Sequence, residues 1–383
     1  MAKYSVGCLL VTVALLALLL FTDIRMQIAP AIGKSNRTII TTEPQTPEPM
    51  QSCAQSCLQP DLAFAEFDAD AFFEQLVQTP LITEPKLRWV VEAGSYNGKQ
   101  LGTPLARNFN VVVFEPSSRN FQRVTRRVGR LCRIQHTGCK GEFKIHQKAA
   151  SGNRSTVEFR SSQKGGPGDH VVLNGRVVHG EYTEQYTKKE VVEAVPLDDY
   201  LLPIAEKNNI FVLKIDVQDH EPAVLRGLST VLQRGLADFV LLEYRPQGWV
   251  HMFPDSKPEE ELARVCGLPH FRCFYAGRMT RISNTNKRFP EFFPGWASVG
   301  PAGTGWTTAD FNKKMMELKQ PEEFGTWTDI VALNTNSTLA VAVFEDLLKR
   351  KCRRRMYNTS LPSRCRPRSR GMWVRSSRDG GVF

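Results

Sequence analysis

The sequence predicts an α/β fold: a mostly parallel sheet with helices on both faces. Two observations carry that expectation. Short, largely apolar runs recur at Leu87–Ala93, Val111–Phe114, Ile210–Asp216 and Phe239–Glu243, each reading as a buried strand. Helix-compatible stretches such as Pro222–Gln233 lie between them, and this alternation is the mark of parallel strands joined by helices.

The elements follow in order. The N-terminus reads Met1-Ala2-Lys3, then an apolar run from Val6 to Phe21, then Asp23 and Arg25. About 16 residues is short for a spanning helix, which needs roughly 17–25, and Ser5 and Thr22 can extend it. Residues 1–27 therefore read as a cytoplasmic tip and signal anchor. A cleaved signal peptide is the competing reading, because Ala29-Pro30-Ala31 offers small residues at a suitable distance. Both send the rest of the chain into the lumen, so the expected location is a single-pass type II protein of the Golgi or ER, or a secreted one. Residues 28–60, rich in Thr and Pro, cannot bury a core and read as an extended stem.

The globular domain is expected over 61–345, with its core at 87–244. It opens on an amphipathic helix or two, marked by the spacing of Leu62, Phe64, Phe67, Phe72, Phe73, Leu76 and Val77. Phe143–Ala150 and Glu190–Pro196 are β-rich, while the polar, Gly-rich Ser161–Thr187 reads as an insertion or substrate-side loop. Residues 346–383 lack apolar periodicity from Lys349 on and read as a disordered basic tail.

The net charge of +11 is concentrated in that tail. From Lys349 onward there are twelve Lys and Arg against one acid, Asp379, which accounts for the whole formal excess. The tail offers a contact for polyanions; the body is close to neutral. Outside the apolar run, eight cysteines form four close pairs: Cys53 with Cys57, Cys132 with Cys139, Cys266 with Cys273, Cys352 with Cys365. An even count in this context fits local disulfides in an oxidising compartment. No Cys-x-x-Cys and no His pair at ligand spacing accompany them, so no metal site is expected. Sequons at Asn36, Asn153, Asn336 and Asn358 agree with a lumenal domain, away from nucleic acid.

The chemistry is carried by Arg88-Trp89-Val90-Val91-Glu92-Ala93-Gly94-Ser95-Tyr96-Asn97-Gly98. A buried strand runs into an acid, then two glycines four apart, then a helix near Lys99. Ligands of open α/β sheets sit outside the carboxyl ends of the strands, and glycine lets the backbone turn sharply there. The next strand ends in Glu115, where an acid suits ribose hydroxyls. A dinucleotide would need a glycine near position 96 to admit its pyrophosphate, and Tyr96 obstructs it. A sulfonium nucleoside has no pyrophosphate and tolerates the tyrosine.

At these residues the sequence resembles the FkbM-type methyltransferases. Glu92-Ala-Gly94-Ser-Tyr-Asn97-Gly98 is similar to their Asp-x-Gly-Ala-Asn-x-Gly, and Phe114-Glu115-Pro116-Ser117-Ser118-Arg119-Asn120 to Phe-Glu-Pro-x-x-x-Asn. Lys148-Ala149-Ala150-Ser151, Val195-Pro196-Leu197-Asp198-Asp199-Tyr200-Leu201, Leu213 to Glu221 with Val224-Leu225-Arg226-Gly227, and Leu241-Leu242-Glu243 continue the pattern in the family's order. The resemblance implies a Rossmann-like class I methyltransferase fold with a seven-stranded sheet, and S-adenosylmethionine as cofactor. Its binding residues would be Glu92, Gly94, Ser95, Asn97, Gly98, Glu115, Ala150 and Asp216. The sequence departs from the family at Gln218-Asp219, where Glu-Gly is usual.

Asp216, ending its strand, is the first candidate for orienting or deprotonating an acceptor hydroxyl; His220 is the second, and Glu243 is placed to line the acceptor pocket. A glycan or small-molecule hydroxyl is the expected acceptor. Two rivals stand beside this reading. A lumenal glycosyltransferase would need an Asp-x-Asp after a strand, whereas Asp68-Ala69-Asp70 lies in a helical pattern. A catalytically impaired cofactor- or glycan-binding protein would account for Gln218-Asp219.

Overall fold

In the computed structural model, the described residues are 69–134, 138–162, 168–173, 175–176, 186–276, 297–299, 308–317 and 328–357. The expected anchor, the stem, the start of the domain and the tail beyond 357 lie outside them. Among the described residues no helix is long and apolar enough to cross a membrane.

The chain forms α1 (Ala69–Val77), β1 (Trp89–Ala93), α2 (Gly102–Ala106), β2 (Asn110–Phe114), α3 (Ser118–Ile134) and β3 (Phe143–His146). β4 (Ala149–Ser151), β5 (Ser155–Ser161), β6 (His170–Val172) and β7 (Lys188–Pro196) come next. There follow α4 (Asp198–Ala205), β8 (Ile210–Ile215), α5 (Glu221–Arg226), α6 (Ser229–Gln233), β9 (Ala237–Tyr244), α7 (Pro246–Met252) and α8 (Pro258–Cys266). β10 (Phe271–Ala276), β11 (Ala297–Val299), α9 (Thr308–Glu317), β12 (Thr328–Asn334) and α10 (Thr338–Tyr357) complete the described fold.

The main sheet has the order β11-β10-β12-β9-β8-β1-β2-β3. β3, β2, β1, β8 and β9 are mutually parallel, while β12 runs antiparallel to both β9 and β10. The Rossmann-like methyltransferase arrangement is thus present, with eight strands among the described residues where seven are expected. The additional one, β11, is a three-residue edge. Burial on both faces explains why the strands read as continuous apolar runs. On β1 and β2, Val91, Ala93, Val112 and Phe114 pack into one core with α4, α5, α6 and α8. Val90, Val111 and Val113 pack into the other with α1, α2, α3 and α10.

Three features differ from expectation. A second sheet, β4-β7-β5-β6, gathers the β-rich segments after β3, and β6 lies within the segment expected to be a loop. The stretch Pro222–Gln233 divides into α5 and α6 around Gly227, where a Cβ would collide with the Ser151 carbonyl of β4. Finally, the tail is not disordered from 346: α10 continues to Tyr357. Leu347 and Leu348 close its buried face, and ion pairs Lys349–Glu345 and Arg350–Asp346 link successive turns beside them. Periodicity counted only from Lys349 misses a face that ends one residue earlier.

The expected local disulfides form at Cys132–Cys139 and Cys266–Cys273. The expected pairs Cys53–Cys57 and Cys352–Cys365 involve side chains outside the described residues.

Candidate active site

The chain leaves β1 toward β2 and β3 on one side and returns through β8 and β9 on the other. The crevice beyond the carboxyl ends of β1 and β8 is therefore the topological switch point of the sheet. A cavity of about 390 Å³ opens there, within the range of small-ligand sites.

Gly94 makes the turn out of β1. Its φ of +81° is left-handed, and a Cβ would run into the Asp216 carbonyl oxygen. Its N–H donates to Phe114 O at 2.9 Å, while Asp216 N–H donates to Ala93 O at 2.9 Å, so the tips of β1, β2 and β8 are tied together at this residue. Gly98 also needs a positive φ, +67°, but packs against Leu101 and Val124 and does not line the cavity. It shapes the loop. Asn97 lines the cavity and accepts the Lys99 N–H at 2.9 Å, closing the short helical turn Lys99–Leu101.

Glu92 and Glu115 stand on adjacent strand tips and share the cavity. Ser95 connects them: its hydroxyl donates to Glu92 at 2.5 Å and its N–H to Glu115 at 3.2 Å. Glu115 also accepts from Tyr96 N–H at 2.8 Å and from Ser117 N–H at 3.0 Å. The residue expected to grip ribose hydroxyls thus also holds the glycine loop against β2. Burial raises Glu92 to about 7 against the pull of Lys214, and raises Glu115 to about 8 against its three backbone donors. Ala150, on β4, forms part of the opposite wall with Phe159 and Val171.

Asp216 leaves β8 into the cavity, its carboxyl oxygens accepting from Lys214 Nζ at 3.3 Å and Gln218 Nε2 at 3.1 Å. His220 reaches the same cavity, with Nε2 3.3 Å from Ser151 Oγ and its ring against Phe253. Burial, reinforced by Arg226, pushes its pKa down to about 4, so the imidazole is neutral at physiological pH. Glu243 does not line the cavity. It lies behind Gln218, which donates to it at 3.3 Å.

Gln218 and Asp219 take up left-handed backbone, φ +56° and +68°. Asp219 supplies no carboxylate to the cavity; both its oxygens bind the Arg245 guanidinium in a buried, two-pronged pair. Gly248 makes room for it, since a Cβ there would meet the Asp219 carboxylate. Glu221 is likewise inward, accepting from Val217 N–H at 2.8 Å and Trp249 Nε1 at 3.0 Å.

Several lining residues escape a reading of the sequence. Lys214 is 8% exposed, and its ammonium lies 3.3 Å from both Asp216 and Asp70. A lysine within an otherwise apolar strand was the signal that could have found it. Asp70 and Gln100 come together from α1 and the turn after the glycine loop. Asn120 donates to Asp169 at 3.0 Å beneath the β4 wall. No local pattern marks Gln100 and Asp169, whereas Asn120 ends the Phe-Glu-Pro-x-x-x-Asn resemblance and Asp70 the Asp68-Ala69-Asp70 pattern.

Carboxyl groups of Asp70, Glu92, Glu115, Asp169 and Asp216 line the cavity, against the ammonium groups of Lys99 and Lys214. Such a lining offers acceptors for a nucleoside's hydroxyls and for one ammonium group. Among the described residues no group of three metal-ligating side chains occurs.

Residues 94–262 match the sequence model of the family described as methyltransferase FkbM domain. No curated protein matches the chain. Among solved structures, it is similar to the O-methyltransferase TomG of Streptomyces achromogenes, involved in tomaymycin synthesis and solved with S-adenosylmethionine. They share 11% identity over 75% of this chain and 90% of that one, at a TM-score of 0.33. An O-methyltransferase from Bacillus cereus, solved with S-adenosylhomocysteine, is 11% identical over 74% of this chain and 90% of that one, at a TM-score of 0.32. Neither likeness is close enough to bear on the choice of acceptor.

Proposed function

We propose, from the premise that the chain carries an FkbM methyltransferase domain and is an S-adenosylmethionine-dependent methyltransferase, that it O-methylates a hydroxyl of a glycan or secreted metabolite in the secretory pathway. The observation that carries the reading is the crevice in which Glu92 and Glu115 face one cavity from adjacent strand tips. Glu92 would receive the cofactor's ammonium group, the Gly94–Asn97 loop its amino-acid end, Glu115 its ribose hydroxyls and Ala150 its base. When bound, the cofactor supplies the activated methyl group.

The protein's part is alignment and the exclusion of water. Asp216 is held by Lys214 and Gln218 where an acceptor hydroxyl would approach, and it orients that hydroxyl or takes its proton. His220, neutral and packed on Phe253, shapes the pocket beside it. Glu243 acts only through Gln218, as a positioning residue. The two disulfides and the leader support a lumenal, membrane-anchored protein.

Calorimetric titration of the purified protein with S-adenosylmethionine, followed by transfer of labelled methyl to glycan hydroxyls, tests the proposal. Binding of a nucleotide-sugar in place of the cofactor would favour a glycosyltransferase, and transfer confined to small lipids would sink the glycan acceptor. Cofactor binding without turnover would favour the impaired-enzyme reading, for which the inward-turned Asp219 is the supporting observation.

A further inference from the structure

The sequence places the protein's excess charge in its tail, but α3 carries a second basic surface inside the folded domain. Its sequence, SRNFQRVTRRVGRLCRI, contains Arg119, Arg123, Arg126, Arg127, Arg130 and Arg133 and no acid. Val124 and Val128 on the inner face are buried in the core shared with β2 and α2, so the arginines are left to the outer face. Arg119, Arg126, Arg130 and Arg133 are exposed. Among the described residues none of Arg126, Arg127, Arg130 and Arg133 is ion-paired. Among the described residues, Glu190 and Asp169 are hydrogen-bonded to the first turn of this helix, at Ser118 and Asn120.

The row also has a direction. Asn120 and Tyr96 line the cavity, and Arg123 lies 6.0 Å above the Tyr96 ring. From Arg119 at the cavity side to Arg133, fourteen residues at a rise of about 1.5 Å each give a track of roughly 21 Å. Arginine forks grip sulfate and carboxylate groups two oxygens at a time.

We propose that the outer face of α3 binds an acidic polysaccharide, sulfated or carboxylated, and leads it to the cavity mouth, where one of its hydroxyls is methylated. This rests on the glycan-acceptor reading for the second half of the statement. Two observations select the polymer. Cys132, on α3 itself, is bridged to Cys139, which fits an oxidising compartment, away from nucleic acid. The apolar face of α3 is consumed by the core, so the helix cannot lie in a bilayer by inserting it.

The test uses the full chain, heparin as the probe, and two variants. One is the triple substitution Arg126→Gln, Arg130→Gln and Arg133→Gln on α3. The other is Arg364→Gln, Arg366→Gln and Arg368→Gln in the tail. The helix variant is expected to weaken heparin binding at least tenfold at physiological salt. It is also expected to reduce the slope of log affinity on log salt by about two, at roughly 0.7 for each neutralised charge on a flexible polyanion. The tail variant should change the affinity much less, and S-adenosylmethionine affinity should stay unchanged in both. Equal heparin affinity in the helix variant and the unaltered protein overturns the proposal. So does a helix variant that loses binding to phosphatidylserine vesicles or RNA while keeping heparin. Heparin binding through α3 without methyl transfer to any polysaccharide overturns the acceptor half and the glycan reading, and upholds the docking surface. Transfer to neutral glycans with no heparin binding overturns the docking surface and upholds that reading.

Discussion

Single residues decide the shape of the cofactor crevice, and Gly94 is the sharpest case. Gly94→Ala would force a Cβ into the Asp216 carbonyl oxygen at a φ of +81°. Strained left-handed backbone costs about 1–3 kcal/mol before any clash is counted. The expected result is a fall in melting temperature together with a loss of S-adenosylmethionine binding of 100-fold or more, read by melting with and without cofactor. Gly102→Ala is the control. That glycine is helical, nothing lies within 4 Å of the point an alanine Cβ would occupy, and alanine there should stabilise by roughly 0.5–1 kcal/mol. Glu92 gives a pH prediction. The unfolded chain releases this proton near 4.5 and the folded protein near 7, so between those values the folded state binds more protons and stability falls as pH rises. A difference of that size is worth about 3 kcal/mol. A bound ammonium group requires the ionised form, so cofactor affinity should rise up to tenfold per pH unit from 5.5 toward 7. Calorimetry across that range checks it; Glu92→Gln should bind more weakly and flatten the profile, and an unaltered profile would remove Glu92 from the ammonium site.

Elements are positioned by residues whose local signals point elsewhere. Asp198 lies in the stretch that resembles a family element, yet its carboxylate serves another helix: it accepts from Thr230 N–H at 2.8 Å and Val231 N–H at 3.0 Å, capping α6 across space. Asp198→Ala should cost about 1–2 kcal/mol of stability, measured by urea unfolding, and leave cofactor affinity unchanged. Loss of affinity with no loss of stability would instead place Asp198 in the site. The strands that carry Glu92, Glu115 and Asp216 were legible because their apolar runs are buried on both faces and end in acids. Of the second sheet, only β7 and the start of β4 were. β5 has exposed and half-buried positions at its start, and β4 and β6 are three residues each, too short for any period to show. Phe159, Asp169 and Val171 therefore enter the cavity wall without a local signal. The roles of Gln218 and Asp219 were equally hidden. Both substitutions lie in one motif, but only the distant Arg245 and Gly248 show that the acid at 219 turns inward.

At the scale of the whole molecule, the proposed lumenal location ties the disulfides and the surface sequons to one test. Disulfides persist in oxidising compartments, and Cys132–Cys139 and Cys266–Cys273 each close a short loop worth about 2–3 kcal/mol under the chain-entropy account. Asn153 and Asn336 belong to sequons, and both are exposed, Asn153 between β4 and β5 and Asn336 in the turn before α10. A chain that passes through the lumen meets the oxidising potential and the glycan-transfer machinery together, so the two marks must rise and fall as one. Protein made by secretory cells is expected to shift on a gel after glycosidase treatment, with a smaller shift in the Asn153→Gln, Asn336→Gln variant. It should also melt about 10 °C lower once reduced, from two bridges acting on a domain of this size. The same chain lacking its first 27 residues, made in a reducing cytosol, should carry neither glycan nor disulfide and melt like the reduced form. Free thiols at Cys132, Cys139, Cys266 and Cys273 in unglycosylated protein from intact cells would overturn the proposed lumenal location, and the proposed glycan acceptor with it.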